Sequence, residues 1–146
     1  MKLSILASSA LLFAAASAVA DTVAYDEIYD DGDNSMNIVA CSDGPNGLIT
    51  RFKFQTFSDI PKFPFIGAAG AVEGWNSAHC GECYTLTYTP PTGAKKSINV
   101  LAIDHAAPGS FNVALDAMNV LTNGQAEQLG RVNVVATKVA ASVCGL

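Results

Sequence analysis

Residues 77–84 read SAHCGECY: Cys80 and Cys83 stand two residues apart, with His79 just before them. Three chemistries share that spacing: a redox pair, half of a zinc site, and anchors for two different disulfides. The compartment separates them, and the start of the chain speaks to the compartment. Lys2 is a short positive opening, ILASSALLFAAASA (5–18) is an apolar run ending in small residues, and AVA (18–20) is a cleavage signal with Asp21 directly after it. A secretory signal peptide is expected over residues 1–20, leaving a domain of 146 − 20 = 126 residues over 21–146. The apolar run is too short and too rich in alanine for a membrane anchor.

All four cysteines, Cys41, Cys80, Cys83 and Cys144, fall within 21–146. An even count in a small secreted domain reads as two disulfides. A redox pairing would join Cys80 to Cys83 and leave Cys41 with Cys144, but HCGEC opens no helix that would lower a thiol pKa, and no βαβ pattern surrounds it. Zinc would need two further ligands, and His79 and His105 are the only histidines. Pairings that split the motif close longer loops. Cys41–Cys80 with Cys83–Cys144, for instance, would remove about 4 kcal/mol of unfolded-state entropy per bridge.

Losing Lys2 leaves seven basic residues against thirteen acidic ones, a net charge of 7 − 13 = −6. Such a chain offers no cationic track for nucleic acid and no attraction to anionic membranes. It carries no N-x-S/T sequon.

Strand signals recur between turn signals. TVAY (22–25) opens the domain. NIVAC (37–41) and LIT (48–50) flank the turn cluster SDGPNG. YTLTY (84–88) and SINVLAI (97–103) flank PPTGAKK as in a hairpin, and RVNVVATKVA (131–140) is a last long strand. The stretch 61–76, punctuated by proline and glycine, reads as a long ordered loop. A helix is expected in VALDAMNVLTNG (113–124), with Leu115, Met118 and Leu121 on one face, Gly124 as its stop and Asn112 as a candidate cap. A shorter helix is expected in FQTFSDIP, ended by Pro61. Few helices, five or six strands and no βαβ rhythm indicate an all-β fold with short helices, a small barrel.

Four blocks, VAYDEIYDDGDNSMNIVACSDGPNGLI (23–49), FPFIGAAGAVEGWNSAHCGECYTLTY (63–88), LAIDHAAPGSFNVALDAMNVLT (101–122) and QAEQLGRVNV (125–134), together resemble the cerato-platanins, small secreted fungal proteins. The resemblance spans nearly all of residues 21–146. It implies a six-stranded double-psi β-barrel related in fold to the first domain of plant expansins, with disulfides Cys41–Cys80 and Cys83–Cys144. It also implies binding of N-acetylglucosamine oligomers and chitin without catalysis or cofactor, and in some members loosening of cellulose-rich wall material. Elicitation of plant defence through a host receptor and surface activity with self-association are further implied roles. One departure is visible: the family's usual Tyr-Asp-Pro is Tyr25-Asp26-Glu27 here, so a rigid proline is replaced by a charge.

A saccharide offers hydroxyls at its edge and apolar C–H faces, so its site wants carboxylates, amides and aromatic surface. YDEIYD (25–30) supplies Tyr25, Asp26, Tyr29 and Asp30. In AIDHAAPGSFN (102–112), Asp104 ends an apolar strand and enters a turn, and the resemblance puts the matching aspartate in the glycan groove. Asn112 serves either a sugar or the helix start. The candidate carbohydrate-binding residues are therefore Tyr25, Asp26, Tyr29, Asp104 and Asn112. His105 has no serine or free cysteine partner and reads as a turn residue. Trp75, the sole tryptophan, is expected in the core. DDGDN (30–34) reads as a solvated acidic loop, since its spacing fits no EF-hand; no metal is expected. FKFQTF (52–57) and KFPFIG (62–67) place five phenylalanines together, which would favour interfaces if exposed. A glycosidase would need a second carboxylate facing Asp104 across the scissile bond, and the expected protein is a binder, not an enzyme.

Overall fold

The computed structural model describes residues 20–146, so the signal peptide expected over 1–20 lies, apart from Ala20, outside the described residues. Six strands are formed: β1 (Asp21–Tyr25), β2 (Ile66–Ala69), β3 (Cys83–Tyr88), β4 (Lys96–His105), β5 (Ser110–Val113) and β6 (Arg131–Val139). They close into a barrel in the order β1-β5-β2-β4-β3-β6, with β6 pairing back onto β1. Two pairings are parallel, β1 with β5 and β2 with β4, and the others are antiparallel. Three short helices accompany them: α1 (Leu48–Phe52), α2 (Leu115–Thr122) and α3 (Ala126–Leu129).

The expected hairpin is β3–β4. Leu86 pairs with Ile98, both buried, while the outer face carries hydrogen bonds from Thr85 Oγ1 to Asn99 Oδ1 and between the Thr87 and Ser97 hydroxyls, each 2.7 Å. Alternation sorts β6 in the same way: Val132 and Val134 are buried, and Arg131, Asn133 and Val135 are exposed.

Two expected strands are not strands. Asn37 and Ile38 of NIVAC belong to a 3₁₀ turn, Met36–Ile38, and LIT belongs to α1. The cluster between them folds the chain back on itself instead of opening a hairpin. Leu48 N donates to Cys41 O and Ile49 N to Ser42 O, and a Cβ at Gly47 would stand 2.1 Å from the Asp43 carbonyl oxygen. The apolar side chains of Val39 and Cys41 are buried by docking on the barrel, where Cys41 N donates to Ile103 O at 3.0 Å.

Two short strands were not expected. β2 lies inside 61–76 and is buried at every residue, so it shows no alternation. Gly67 is required there, since a Cβ would meet the Asn112 carbonyl oxygen at 2.2 Å. β5 is only four residues long.

The disulfides are Cys41–Cys80 and Cys83–Cys144, 39 and 61 residues apart in sequence. Gly81, at φ +79°, turns the chain between the two neighbouring half-cystines. The first bridge holds the turn before α1 to the loop before β3, and the second holds the C-terminal 3₁₀ turn Ala141–Cys144 to the start of β3.

Helix α2 ends as expected, with Asn123 and Gly124 at positive φ. Its start differs from the expectation. Asn112 lies in β5, and the cap comes from far away: Asp30 Oδ2 accepts from Leu115 N at 2.7 Å and Asp30 Oδ1 from Asp116 N at 2.9 Å. An anion at the positive end of the helix satisfies two otherwise unpaired N–H groups. Asp30→Ala is expected to lower unfolding stability by about 1–2 kcal/mol, measured by urea denaturation, and Asp30→Asn by less.

Candidate functional site

The five candidate residues come from two parts of the chain, 25–29 and 104–112, and the barrel brings Tyr29 onto Asp104 and the end of β1 beside Asn112. β1 runs parallel to β5, with Ala24 opposite Asn112 and Tyr25 opposite Val113. On the other side of β5, Ala68 of β2 lies opposite Asn112 and also opposite Asp104 of β4. A register shift between Gly67 and Ala68 makes this second match, since Gly67 pairs with Ala102 and Ile103 is skipped. Such bulges re-aim side chains.

Continuing through β1 to β6, Ala24 lies opposite Arg131. Residues opposite one another present side chains to the same face. The barrel therefore carries one transverse row: Asp104, Ala68, Asn112, Ala24, Arg131. At about 4.8 Å per strand, Asp104 and Asn112 are about 10 Å apart along the curved sheet. Of the alanines between the polar members, Ala24 is half-buried and Ala68 is buried. Arg131 Nη1 is held at the far end by Thr22 Oγ1 at 2.9 Å.

Asp104, the next-to-last residue of β4, is half-buried and heavily used. Its Oδ2 accepts from the Tyr29 hydroxyl at 2.8 Å, and its Oδ1 accepts from Ala40 N and His105 N, each at 2.9 Å. One carboxylate thus joins the 25–30 segment, the 36–41 segment and β4. With about four acceptor positions on a carboxylate, little capacity remains for a ligand.

Tyr29 is buried, its ring against Phe57 with centroids 6.2 Å apart. Burial first, then the charge and hydrogen bond of Asp104, push its phenol far above the ordinary range. Its ring face is closed to a ligand, and it acts by orienting Asp104. Tyr25 is half-buried and packs against the core. Asp26 is exposed and caps the 3₁₀ turn Glu27–Asp30, with Oδ1 accepting from Ile28 N at 3.0 Å. Glu27 fills the first position of that turn, where proline is tolerated because the N–H has no partner within the turn. The departure from Tyr-Asp-Pro leaves the turn intact.

Several other expectations are settled by packing. Trp75, expected in the core, is 63 % exposed. His105 is a surface residue whose Nδ1 lies 2.6 Å from Val72 O. In DDGDN, Asp31 Oδ1 accepts from Asp33 N. None of the five phenylalanines is well exposed: Phe57 is buried, and Phe52, Phe54, Phe63 and Phe65 are half-buried against the core. The larger clefts lie away from the polar row. One of about 370 Å³ runs between the β3–β4 turn and the end of α2, and one of about 490 Å³ lies beside the disulfides; none of the five candidate residues lines either.

A second polar cluster beside the cystines was not foreseen, because it joins His79, Glu82 and Tyr84 of the opening stretch to the distant Lys138 of β6. Glu82 Oε1 lies 2.7 Å from Lys138 Nζ and 2.9 Å from His79 Nδ1, and its Oε2 accepts from the Tyr84 hydroxyl. Partial burial alone would push the Glu82 carboxyl up. The combined hydrogen bonds of Lys138, Tyr84 and His79, with the charge of His79, outweigh it and hold the carboxyl below its ordinary value of 4.5. Burial, then Glu82, pushes the Tyr84 phenol up.

The cerato-platanin family model matches residues 21–146. The heat-stable 19 kDa antigen of Coccidioides immitis (strain RS) is 45% identical over 152 residues, covering 100% of this chain and 99% of the antigen. The crystal structure of cerato-platanin 2 from M. perniciosa superposes with a TM-score of 0.81 at 50% identity, covering 88% of this chain and 100% of that one. The solution structure of the fungal elicitor cerato-platanin gives a TM-score of 0.71 at 36% identity, over 84% and 95%.

The depressed Glu82 carboxyl makes stability depend on pH. Its contribution is fully present above the unfolded-state value near 4.5 and is lost as pH falls through the lower folded-state value. Glu82→Gln is expected to be less stable than wild type at neutral pH, with the gap closing as pH falls below 4.5. Urea denaturation from pH 7 to pH 2 checks this; a gap that widens in acid would refute it.

Proposed function

The chain belongs to the cerato-platanin family, and from that premise we propose that it is a secreted protein that binds chitin-type oligomers of N-acetylglucosamine without cleaving them. The observation that carries this reading is the transverse row from Asp104 through Asn112 to Arg131, polar groups separated by alanines on the flank of a closed barrel. Polar groups spaced along one row suit the hydroxyls of an extended chain of sugars. Asn112, half-buried and relieved of helix capping by Asp30, offers an amide with both donors and an acceptor. Arg131 adds donors. Tyr25 and Asp26 stand at the end of the neighbouring strand.

Each net hydrogen bond to a sugar contributes about 1 kcal/mol. Several together hold an oligomer weakly and compete with the bonds that join glycan chains to one another. Loosening of chitin or of cellulose-rich wall material then needs no covalent step and no cofactor. Turnover would require a carboxylic acid and a second carboxylate, about 5 to 9.5 Å apart across the scissile bond. The nearby carboxylates hold the protein instead: Asp104 accepts three hydrogen bonds, Asp30 caps α2 and Asp26 caps a 3₁₀ turn. Secretion accords with the signal peptide expected over residues 1–20 and with two disulfides, which persist in oxidising surroundings.

A second reading, recognition by a host receptor with self-association at surfaces, can operate beside the first. It is favoured by a solved relative described as a fungal elicitor and by exposed apolar side chains, Ile38 and Val135 among them. The phenylalanine cluster does not support it, being packed against the core. On this reading, sedimentation without glycan shows oligomers that Val135→Asp disperses; a monomer at every concentration removes it.

Calorimetric titration with N-acetylglucosamine oligomers tests the first reading. Asn112→Ala is expected to weaken binding about fivefold with stability unchanged. Asp104→Ala is expected to weaken it and to destabilise the fold, because Tyr29, Ala40 and His105 lose their common acceptor. Equal affinity in wild type and both variants, or reducing sugars released from the oligomers, would overturn it.

A further inference from the structure

We propose that Trp75 is a preorganised aromatic platform on which the apolar face of a sugar ring stacks, extending the glycan furrow beyond Asp104; this rests on the carbohydrate-binding reading above. Three observations lead there.

The first is that the ring is exposed but not loose. Trp75 Nε1 donates to Asp43 Oδ1 at 2.7 Å. One edge of the ring lies over Gly44, where an added Cβ would be 2.9 Å from Trp75 Cζ2, and Gly44 sits at φ +78°. The loop beneath is braced: Asn76 Oδ1 accepts from Asn46 N at 2.9 Å, and Asn46 Nδ2 donates to Asn76 O at 3.0 Å. A large apolar ring is thus held in one orientation with 63 % of the residue in solvent. Folding alone gives no reason to fix an aromatic ring there.

The second is what surrounds it. The two loops that carry the platform also expose Asp43 and Glu73. An exposed aromatic face with carboxylates on the same loops matches a saccharide, with C–H bonds on its face and hydroxyl donors at its edge.

The third is the connection to Asp104. The strap Ala40–Asp43 is bonded at one end to Asp104, through Ala40 N, and at the other to Trp75, through Asp43. Three residue steps span at most about 11 Å. The strap is anchored between them by the Cys41–Cys80 bridge, and Cys80 closes the loop that carries Trp75. The platform and Asp104 are therefore tied to the two ends of one braced strap.

Covering about 55 Å² of ring face at about 25 cal/mol per Å² corresponds to about a tenfold gain in affinity. Because Trp75 is the sole tryptophan, the protein's tryptophan emission reports on this ring alone. The test titrates the secreted protein with N-acetylglucosamine hexamer, following emission, iodide quenching and heat together. Expected are a saturable emission change and protection from iodide at the calorimetric affinity. Trp75→Ala should bind about tenfold more weakly at unchanged urea midpoint, and Trp75→Phe, which keeps a face but no N–H, should recover part of the loss. Calorimetric binding with unchanged emission and wild-type affinity in Trp75→Ala would overturn the platform and leave the furrow standing. Absence of any heat of binding would overturn the carbohydrate reading itself, and the platform with it. An emission shift that follows protein concentration without glycan would make the ring a self-contact and overturn the platform.

Discussion

Barrel closure is the constraint from which the rest follows. An open sheet leaves a row of unpaired backbone groups at each edge, and a closed one leaves none. Here closure depends on β1, which pairs in parallel with β5 on one side and antiparallel with β6 on the other. A strand at the start of the domain is thereby inserted between two strands near its end. The same insertion brings Ala24 opposite Asn112 and delivers the 25–30 segment to the end of β4, where Tyr29 reaches Asp104.

The disulfides complement closure by holding what the ladder does not. Segment 36–47 and the C-terminal turn contribute no barrel strand, and each is joined to the neighbourhood of β3 by one bridge. Splitting the Cys80–Cys83 pair between two distant partners lets one short stretch fasten both. The bridged loops are the ones that carry the Asp104 strap and the Trp75 platform, so the cross-links stiffen a surface as well as a fold. Stiffness matters for a weak binder, because ordering a mobile loop around a ligand would consume much of the few kcal/mol that a handful of hydrogen bonds supplies.

Around the proposed furrow the acidic residues divide their labour. Asp104 joins three segments, Asp30 caps a helix and Asp26 caps a turn. Carboxylates that the residue types alone would offer to a substrate are instead spent on backbone N–H groups that closure leaves without partners. On the proposed reading, the contact surface falls to the amide of Asn112, the guanidinium of Arg131 and exposed aromatic surface. That division is consistent with a protein that grips a polysaccharide without reacting with it.

The sequence by itself determined the features that local periodicity and turn chemistry encode. These are the long antiparallel strands β3, β4 and β6, helix α2 with its Asn123–Gly124 stop, and a four-cysteine framework. The four-block pattern carried the pairing of those cysteines and the six-stranded barrel as a resemblance. Only the tertiary structure decided the rest. β2 and β5 are four residues each and lie between other strands, so neither is long enough to show a period. NIVAC and LIT looked like strands because their apolar side chains are buried, but docking and helix packing bury them, not a ladder. The partners of Asp104 and Asp30 are 64 to 86 residues away, apart from the adjacent His105, and no local rule selects a partner at such range. Trp75 is exposed for the same kind of reason: its hydrogen-bond acceptor is Asp43, 32 residues back, on a loop joined to its own by the Cys41–Cys80 bridge and the Asn46–Asn76 hydrogen bonds.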